Sequence, residues 1–202
     1  MEYAEKKTNR QLKALQTKRT IYESAISLFK EKGYDHVSID EITEEASTSK
    51  GSFYTYFCSK DDVVLEYYKQ MDEHYMDLIN SKDFNGNTLD KLLHVNNVGL
   101  RYSEEIGVEF QKIVLKNQLS QEQDIPYVVS EKRPIYQIIK SILVEGQQKG
   151  EVRTDLSVDE LVSMIMCFYR GIYLDWCLLE KEFTLPKKGT QFIRVLLEGI
   201  IR

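Results

Sequence analysis

Residues 38–60 place the tightest constraint on what this 202-residue chain can fold into. Ser38 and Glu41 stand at the spacing of a capping box, which begins a helix. Residues 47–49, Ser-Thr-Ser, are typical of turns and helix caps, so this first helix must be short. A second short helix, polar and aromatic, is predicted over residues 49–56. Two short helices joined by a tight turn suit the presentation of the second helix to a partner.

Apolar residues at helical spacing fill most of the remaining chain, and no convincing strand alternation is present. A first helix is predicted from Thr17 to a left-handed cap at Gly33, and a long helix follows residue 59. Five further helical patterns follow residue 87. Two alternatives stay open around Pro126 and Pro134, because either proline can lie in a first helical turn and Pro134 can also kink a longer helix. The sequence therefore predicts an all-α protein.

Composition is that of an ordinary soluble globular protein, with 42% apolar and 29% charged residues. The three cysteines lack metal-ligand spacing and suit a reducing compartment, and the polar start of the chain lacks a secretory signal. A cytoplasmic location is therefore expected. The helix at 161–179 is long enough to consider as a membrane span, but Arg170 and Asp175 would be costly in lipid, so no membrane partner is expected.

The patterns of known catalytic and cofactor sites are missing from the sequence. It contains no glycine-rich nucleotide loop, no G-x-S-x-G elbow and no H-E-x-x-H pair. The histidines are far apart, and neighbours such as His74 and Asp77 indicate surface pairing more than a metal site. Cys58 could be a redox switch, although an incidental small residue is the simpler interpretation. We therefore expect no enzyme activity, no cofactor and no metal.

The net charge of −5 argues against a uniformly basic nucleic-acid binder. The charge is unevenly distributed, since residues 1–60 hold ten basic and nine acidic side chains, whereas residues 61–202 hold 17 and 23. This asymmetry permits a nucleic-acid contact near the N-terminus. Residues 1–16 lack an apolar face and are expected to be frayed, or helical only near the next segment, as a solvated disordered tail. The alternative is a basic arm on DNA phosphate or in a minor groove.

The string S-K-G-S-F-Y-T-Y-F-C-S-K at residues 49–60, with Gly33, Ser38 and the apolar positions before them, closely resembles the DNA-binding domain of TetR-family transcriptional regulators. The resemblance covers about residues 14–70. It implies an all-α protein with an N-terminal three-helix helix-turn-helix DNA-binding domain and a C-terminal helical ligand-binding and dimerisation domain. The expected domains are residues 1–62, with the helix-turn-helix at about 38–57, and residues 63–202.

A recognition helix must enter a major groove about 12 Å wide, which favours small and polar side chains on its exposed face. The resemblance places phosphate contacts at Tyr54, Tyr56 and Lys60, base-side positions at 48–52, and further backbone contacts on the helix before. The full set of residues expected to contact DNA is Ser38, Thr43, Thr48, Ser49, Lys50, Gly51, Ser52, Tyr54, Thr55, Tyr56 and Lys60.

The second domain is rich in aromatic residues, which mostly indicate ordinary packing but can also line an apolar ligand cavity. The residues expected to line an effector pocket are Met71, Tyr75, Phe110, Ile113, Tyr169, Tyr173 and Trp176. Because Arg170 and Asp175 are the only charges expected nearby, a neutral or mildly charged apolar ligand is favoured. The last two helices, at about 158–180 and 187–201, are apolar enough to predict a homodimer through them.

The expected function is therefore a ligand-responsive transcriptional regulator that binds a double-stranded DNA operator. A repressor released from a palindromic operator by a small molecule fits best. One alternative is a transcriptional activator of the same fold. The other is a helical protein-interaction module, which would call for an apolar exposed face that residues 49–55 do not have.

Overall fold

The computed structural model describes residues 8–82, 84–120, 127–179 and 183–202. The chain divides into two compact units, Met1–Glu66 and Tyr67–Arg202, and the division falls within one long helix. The sequence places its domain boundary at residue 62, close to the start of that helix. Each unit has its own buried core and is described by itself.

The first unit contains helices α1 (Asn9–Lys32), α2 (Ile39–Glu45) and α3 (Lys50–Tyr56), with a 3-10 turn at Tyr34–His36. Helix α4 (Lys60–Ile79) begins in the first unit and ends in the second. The second unit adds helices α5 (Thr88–Ile106), α6 (Val108–Ser120), α7 (Pro134–Gln148), α8 (Val158–Leu179) and α9 (Leu185–Glu198), with a 3-10 turn at Tyr127–Val129.

The predicted all-α class is confirmed. The described residues contain no strand, and the sole strand-like pairing among them is an isolated antiparallel bridge between Val152 and Ile201. The alternatives left open around the prolines are partly resolved, because Pro134 occupies the first helical position of α7, where its missing N–H costs nothing. Pro126 lies outside the described residues, as does Glu180, where the sequence ended the α8 helix.

Helix α1 begins well before the position that the sequence predicted. Thr8 accepts a hydrogen bond from the Gln11 backbone N–H, and the Gln11 side chain accepts one from the Thr8 backbone N–H at 2.7 Å. This capping box provides hydrogen-bond partners for backbone N–H groups at the start of the helix and needs no apolar contact. The search for apolar periodicity therefore did not detect the start of α1. The prediction that residues 1–16 are frayed, or helical only near the next segment, is therefore wrong for residues 9–16, which are helical throughout, and residues 1–7 lie outside the described part of the chain.

The core of the first unit holds α1, α2 and α3 together through apolar side chains that are almost fully buried. They are Ile21, Ala25 and Phe29 from α1, Ile42 from α2, Phe53 from α3 and Phe57 just beyond it. The Ser38–Glu41 capping box begins α2, and Ser49 accepts from the Ser52 N–H to begin α3. These local signals, read from the sequence, fix the two short helices as predicted.

Ser47, in the turn between α2 and α3, has a backbone φ of +49° and is the one non-glycine among the described residues with a positive φ. Left-handed backbone costs an L-residue about 1–2 kcal/mol, part of which glycine regains. We expect Ser47→Gly to raise the free energy of unfolding of the first unit by about 0.5–1 kcal/mol. Ser27→Gly, the same change on the exposed side of α1, should instead lower it by about 0.5 kcal/mol. Thermal denaturation followed by circular dichroism measures both, and equal signs would contradict the prediction.

Helix α8 is long and apolar enough, by length and composition alone, to cross a membrane, and it is the one such helix in the described part of the chain. Of its most apolar window, 44% is buried inside the unit. Its Ile172 and Trp176 form a buried cluster with Leu100 of α5 and Leu185 of α9. Core helices of globular proteins share these properties, so packing within the unit accounts for the buried part of the apolar composition of α8.

Candidate nucleic-acid interface and ligand cavity

Helix α3 presents a small, polar surface above a fully buried aromatic ring. Phe53 points into the core, whereas Ser49, Gly51 and Tyr54 are exposed. Of the other residues expected to contact DNA, Ser38, Lys50 and Thr55 are exposed, and Thr48, Ser52, Tyr56 and Lys60 are half-buried. The Thr55 hydroxyl donates to the Gly51 carbonyl oxygen at 2.8 Å, within the same helix.

Gly51 has no conformational reason to be glycine. Its φ is not positive, and a Cβ placed on it would meet only the Ser49 Oγ, at 3.7 Å. Glycine inside a helix costs about 0.5–1 kcal/mol relative to alanine. The folded unit leaves room for a side chain there, so packing within the unit does not require glycine at this position.

Lys50 is paired with an acidic residue that sequence analysis did not single out. Its Nζ lies 2.6 Å from Asp40 Oδ1 across the α2–α3 turn. Both side chains are exposed, so the pair is worth little for stability. It does hold the Lys50 ammonium over α2. No helical spacing predicts this contact, because the two residues lie ten apart on different helices.

Two residues of the expected contact set are used inside the fold. The Lys60 ammonium donates to the carbonyl oxygens of Tyr34 at 2.8 Å and Val37 at 2.7 Å, which leaves one of its three protons. Thr43 is buried, and its hydroxyl donates to the Asp40 carbonyl oxygen at 3.0 Å. Thr43 therefore does not lie on the exposed surface of α2.

A small cavity of about 50 Å³ lies inside the second unit, among aromatic side chains. Four residues expected to line an effector pocket line it: Met71, Tyr75, Tyr169 and Tyr173. Arg170, which the sequence analysis expected as a charge near the pocket, also lines it, whereas Tyr67, Tyr68, Gln111, Leu115, Val128, Arg133, Ile135 and Met166 were not among the expected lining residues. Helical spacing could have identified Tyr67 and Tyr68, because they precede Met71 on α4 by about one turn and therefore lie on the same side of the helix.

Three of the expected lining residues lie elsewhere. Phe110 is fully buried and packs edge-on against Tyr67 with ring centroids 5.8 Å apart. Trp176 belongs to the cluster formed with Leu100 and Leu185. Ile113 is half-buried and does not line the cavity. The rotation of α6 about its axis turns Gln111 and Leu115 toward the cavity instead, and neighbouring helical positions differ by about 100°.

A buried hydrogen-bond network joins Tyr67 and Gln111 of the cavity wall to Ser103. The Tyr67 hydroxyl lies 2.7 Å from the Ser103 hydroxyl and donates to Gln111 Oε1 at 2.9 Å. Burial raises the pKa of Tyr67 and of Tyr75 well above the usual value, and raises the pKa of Tyr173 to about 12. The phenols therefore stay neutral at physiological pH, so they offer hydrogen bonds and apolar surface but no charge.

The cavity wall contains a buried ion pair, which changes the expected charge of the site. Arg133 precedes α7, and its Nη2 and Nε donate to the two carboxylate oxygens of Asp72 at 2.9 Å and 3.1 Å. Both side chains are almost completely buried. The guanidinium also lies 4.6 Å from the Tyr68 ring centroid, and the Tyr127 hydroxyl donates to Asp72 at 3.3 Å. The charged side chains that line the cavity are therefore Arg133 and Arg170. Asp175, which the sequence analysis expected beside Arg170, is exposed and does not line the cavity.

A second, more open groove of about 230 Å³ adjoins the cavity and shares Met166 and Arg170 with it. Its lining is largely polar and comprises Val129, Glu131, Tyr136, Gln137, Lys140, Asp159, Val162, Ser163, Met166 and Arg170. Lys140 is paired with Asp159 at 2.6 Å on the exposed side. In the described residues, no group of three or more His, Cys, Asp or Glu side chains has a metal-binding arrangement.

Helices α8 and α9 expose large apolar side chains, in the region where the sequence predicts the homodimer. On α8, Met164, Leu174 and Leu178 follow helical spacing on one exposed side, and Gly171 lies among them with open space around it. On α9, Phe192 and Val195 are also exposed. Exposed apolar residues repeated along one helical face are typical of an interface.

Known proteins resemble this chain along its whole length. The sequence model of the tetR family of bacterial regulatory proteins matches residues 21–67, and a model described as YsiA-like protein, C-terminal region, matches residues 69–199. In Bacillus subtilis, the uncharacterized HTH-type transcriptional regulator YwcC is 32% identical, covering 98% of this chain and 80% of that one. The fatty acid metabolism regulator protein of the same organism is 22% identical, covering 89% and 93%.

Solved structures show the same fold. The transcriptional regulator FadR from Bacillus subtilis in complex with stearoyl-CoA superposes with a TM-score of 0.70 at 21% identity, covering 90% of this chain and 98% of that one. GusR from Salmonella enterica gives a TM-score of 0.70 at 17% identity, covering 92% and 95%. The two family matches together cover most of both units. The first of them, over residues 21–67, includes helices α2 and α3 of the helix-turn-helix. The chain therefore belongs to the TetR family of transcriptional regulators.

Proposed function

We propose that this protein is a transcriptional repressor that binds a palindromic DNA operator as a homodimer and is released by a small-molecule effector. The observation that carries the proposal is the exposed face of α3. Small and polar groups at Ser49, Gly51 and Thr55 fit the floor of a major groove, and Tyr54 stands beside them with its hydroxyl free to reach a phosphate. A protein-interaction module would instead expose an apolar surface there.

Palindromic recognition needs two copies of α3, and the exposed apolar faces of α8 and α9 offer the means to pair them. A two-fold axis between identical faces would place two recognition helices in successive major grooves, about 34–36 Å apart. The near-neutral charge of residues 1–60 makes this pairing important. Affinity must then come from a few phosphate contacts made twice, because a broad basic surface is missing.

The aromatic cavity supports the ligand-responsive part of the proposal. Met71 and Tyr75 line it, and they stand on α4, the helix that begins at Lys60. A ligand that displaces these side chains acts directly on that helix. The change that the ligand causes in the free energy of operator binding cannot exceed the difference between its own binding free energies for the operator-bound and released states. Such differences are typically 1–3 kcal/mol.

The proposal is tested by electrophoretic mobility shift with DNA fragments from the promoter of the protein's own operon, over a range of salt concentrations. We expect binding to a near-palindromic sequence, with affinity that falls steeply as salt rises because phosphate contacts release counterions. A promoter–reporter fusion then separates repression from activation. Binding without sequence preference or without salt sensitivity would count against a transcriptional regulator that acts through α3.

Gly51→Ala separates DNA binding from stability in the same experiment. The methyl group has room in the folded unit, so the variant should be more stable by about 0.5–1 kcal/mol. We nevertheless expect operator affinity to fall by about tenfold, equivalent to about 1.4 kcal/mol, because the added Cβ stands between α3 and the bases. Ser27→Ala on the exposed side of α1 is the control and should leave operator affinity unchanged. Unaltered operator binding by Gly51→Ala would show that this backbone does not approach DNA.

A further inference from the structure

Arg170 stands where the aromatic cavity meets the polar groove, since it lines both. It is half-buried on α8. Its Nη1 donates to the Tyr136 hydroxyl at 3.3 Å, and its Nη2 donates to Cys167 Sγ at 3.2 Å. A hydroxyl oxygen and a sulfur atom satisfy only part of a guanidinium that carries five N–H donors.

The other basic groups around the two spaces are already neutralised. Arg133 is clamped by Asp72, and Lys140 is paired with Asp159. Within the described residues, by contrast, no carboxylate forms an ion pair with Arg170. Glu131 also lines the groove, where it is exposed and interacts electrostatically with Lys140. Of the three basic groups that line the two spaces, Arg170 is therefore the one without a paired carboxylate among the described residues.

The shapes of the two spaces add a second constraint. The inner cavity is walled by tyrosine rings and aliphatic side chains, and the outer groove is lined mostly by polar ones. A molecule that occupies both must have an apolar end and a polar end. The inner space, at about 50 Å³, is smaller than the roughly 150 Å³ cavity that holds benzene in an engineered protein. Met71 and Met166, which both line it, are unbranched and can rotate to enlarge it.

We propose that the effector is an amphipathic organic anion, whose carboxylate or phosphate group pairs with Arg170 while its apolar end enters the tyrosine-lined cavity. This inference rests on the proposed function, since it names the ligand class of the same site. It reverses the expectation of a neutral or mildly charged ligand, which depended on Asp175 lying nearby. Planar, two-pronged guanidinium recognition favours carboxylate and phosphate over other anions.

Isothermal titration calorimetry on the full-length protein tests the inference with ten-carbon probes, all below their micelle concentrations. The probes are decanoate, decyl phosphate, 1-decanol and decyltrimethylammonium. We expect one or both anions to bind at least about tenfold more tightly than decanol, because a charge-assisted hydrogen bond outweighs a neutral one. The cation should bind more weakly than decanol. The two anions distinguish a carboxylate effector from a phosphate ester.

Three variants test whether Arg170 is the residue that binds the anionic group of the ligand. Arg170→Met should weaken anion binding by about tenfold or more and leave decanol binding unchanged, whereas Arg170→Lys should fall between. Lys149→Met, at an exposed lysine that lines neither space, should bind the anions as the unaltered protein does. Decanol binding also shows that each variant has folded with its cavity intact.

Two results would overturn the inference. One is equal binding of the anions and decanol by the unaltered protein; the other is a failure of both anions to bind at all chain lengths from eight to sixteen carbons. Neither result touches the operator-binding experiment, which uses protein without ligand. A loss of operator binding, conversely, would refute the regulatory function while leaving the anion site measurable.

Discussion

Asp72→Ala is expected to destabilise the second unit by about 3–5 kcal/mol, because it leaves the Arg133 guanidinium buried without a counter-charge. Side-chain exposure is 4% for Arg133 and 6% for Asp72, so water cannot replace the lost partner. The Tyr68 ring, 4.6 Å from the guanidinium, returns only a small part of the loss. Urea denaturation followed by circular dichroism measures the free energy of unfolding.

Two variants sharpen this experiment. Asp77→Ala, on the exposed side of the same helix, should change stability by no more than about 0.5 kcal/mol. The double variant Asp72→Leu with Arg133→Met should recover most of the loss, because apolar residues of similar volume often replace a buried ion pair at little cost. A loss below about 1 kcal/mol in Asp72→Ala would mean that the pair is hydrated in solution, contrary to its burial here.

Leu178→Glu is expected to separate the proposed homodimer into monomers and to abolish tight operator binding. Leu178 is 70% exposed on the apolar face of α8, and a carboxylate at this place in an interface would lose its hydration without gaining a partner. Operator affinity should fall by about 10²–10⁴-fold, since two linked recognition helices gain that factor from effective concentration. Analytical ultracentrifugation measures the assembly, and fluorescence anisotropy with labelled operator measures the binding.

Leu119→Glu is the matched control for this prediction. Leu119 is 86% exposed near the end of α6, away from α8 and α9 in sequence, and the same substitution there should change neither assembly nor operator binding. If Leu178→Glu remained a dimer of unchanged strength, the interface would lie on another face. If Leu119→Glu dissociated the protein instead, α6 would be part of that interface.

Helix boundaries were the most predictable part of the fold, because their signals lie within four residues of one another. Ser38 with Glu41 begins α2, Ser49 with Ser52 begins α3, and Ser157 with Glu160 precedes α8. The start of α1, which the sequence analysis placed at Thr17, is also marked by a local signal, but that signal was overlooked. Its capping box uses Thr8 and Gln11, a pair hidden in a polar stretch where no apolar period drew attention to it.

The candidate cavity was only partly predictable. Helical spacing correctly grouped Met71 with Tyr75 and Tyr169 with Tyr173, since each pair lies one turn apart on one helix. The rotation of α6, by contrast, depends on which of its faces packs against α8, and composition alone did not distinguish Phe110 from Gln111. Polar Gln111 is buried because the Tyr67 hydroxyl donates to it, a partner 44 residues away in sequence.

The sequence by itself determined the all-α class, the family and the short polar helix α3. Each of these depends on patterns formed by residues that lie close together in the sequence. The tertiary structure alone decided the charge of the cavity. Asp72 and Arg133 lie 61 residues apart, and nothing local to either shows that one will neutralise the other. It also decided that Lys60 donates to two carbonyl groups and that Arg170, among the described residues, has no paired carboxylate. Long-range pairing sets electrostatics, since a charge acts through its spatial neighbours and not its sequence neighbours.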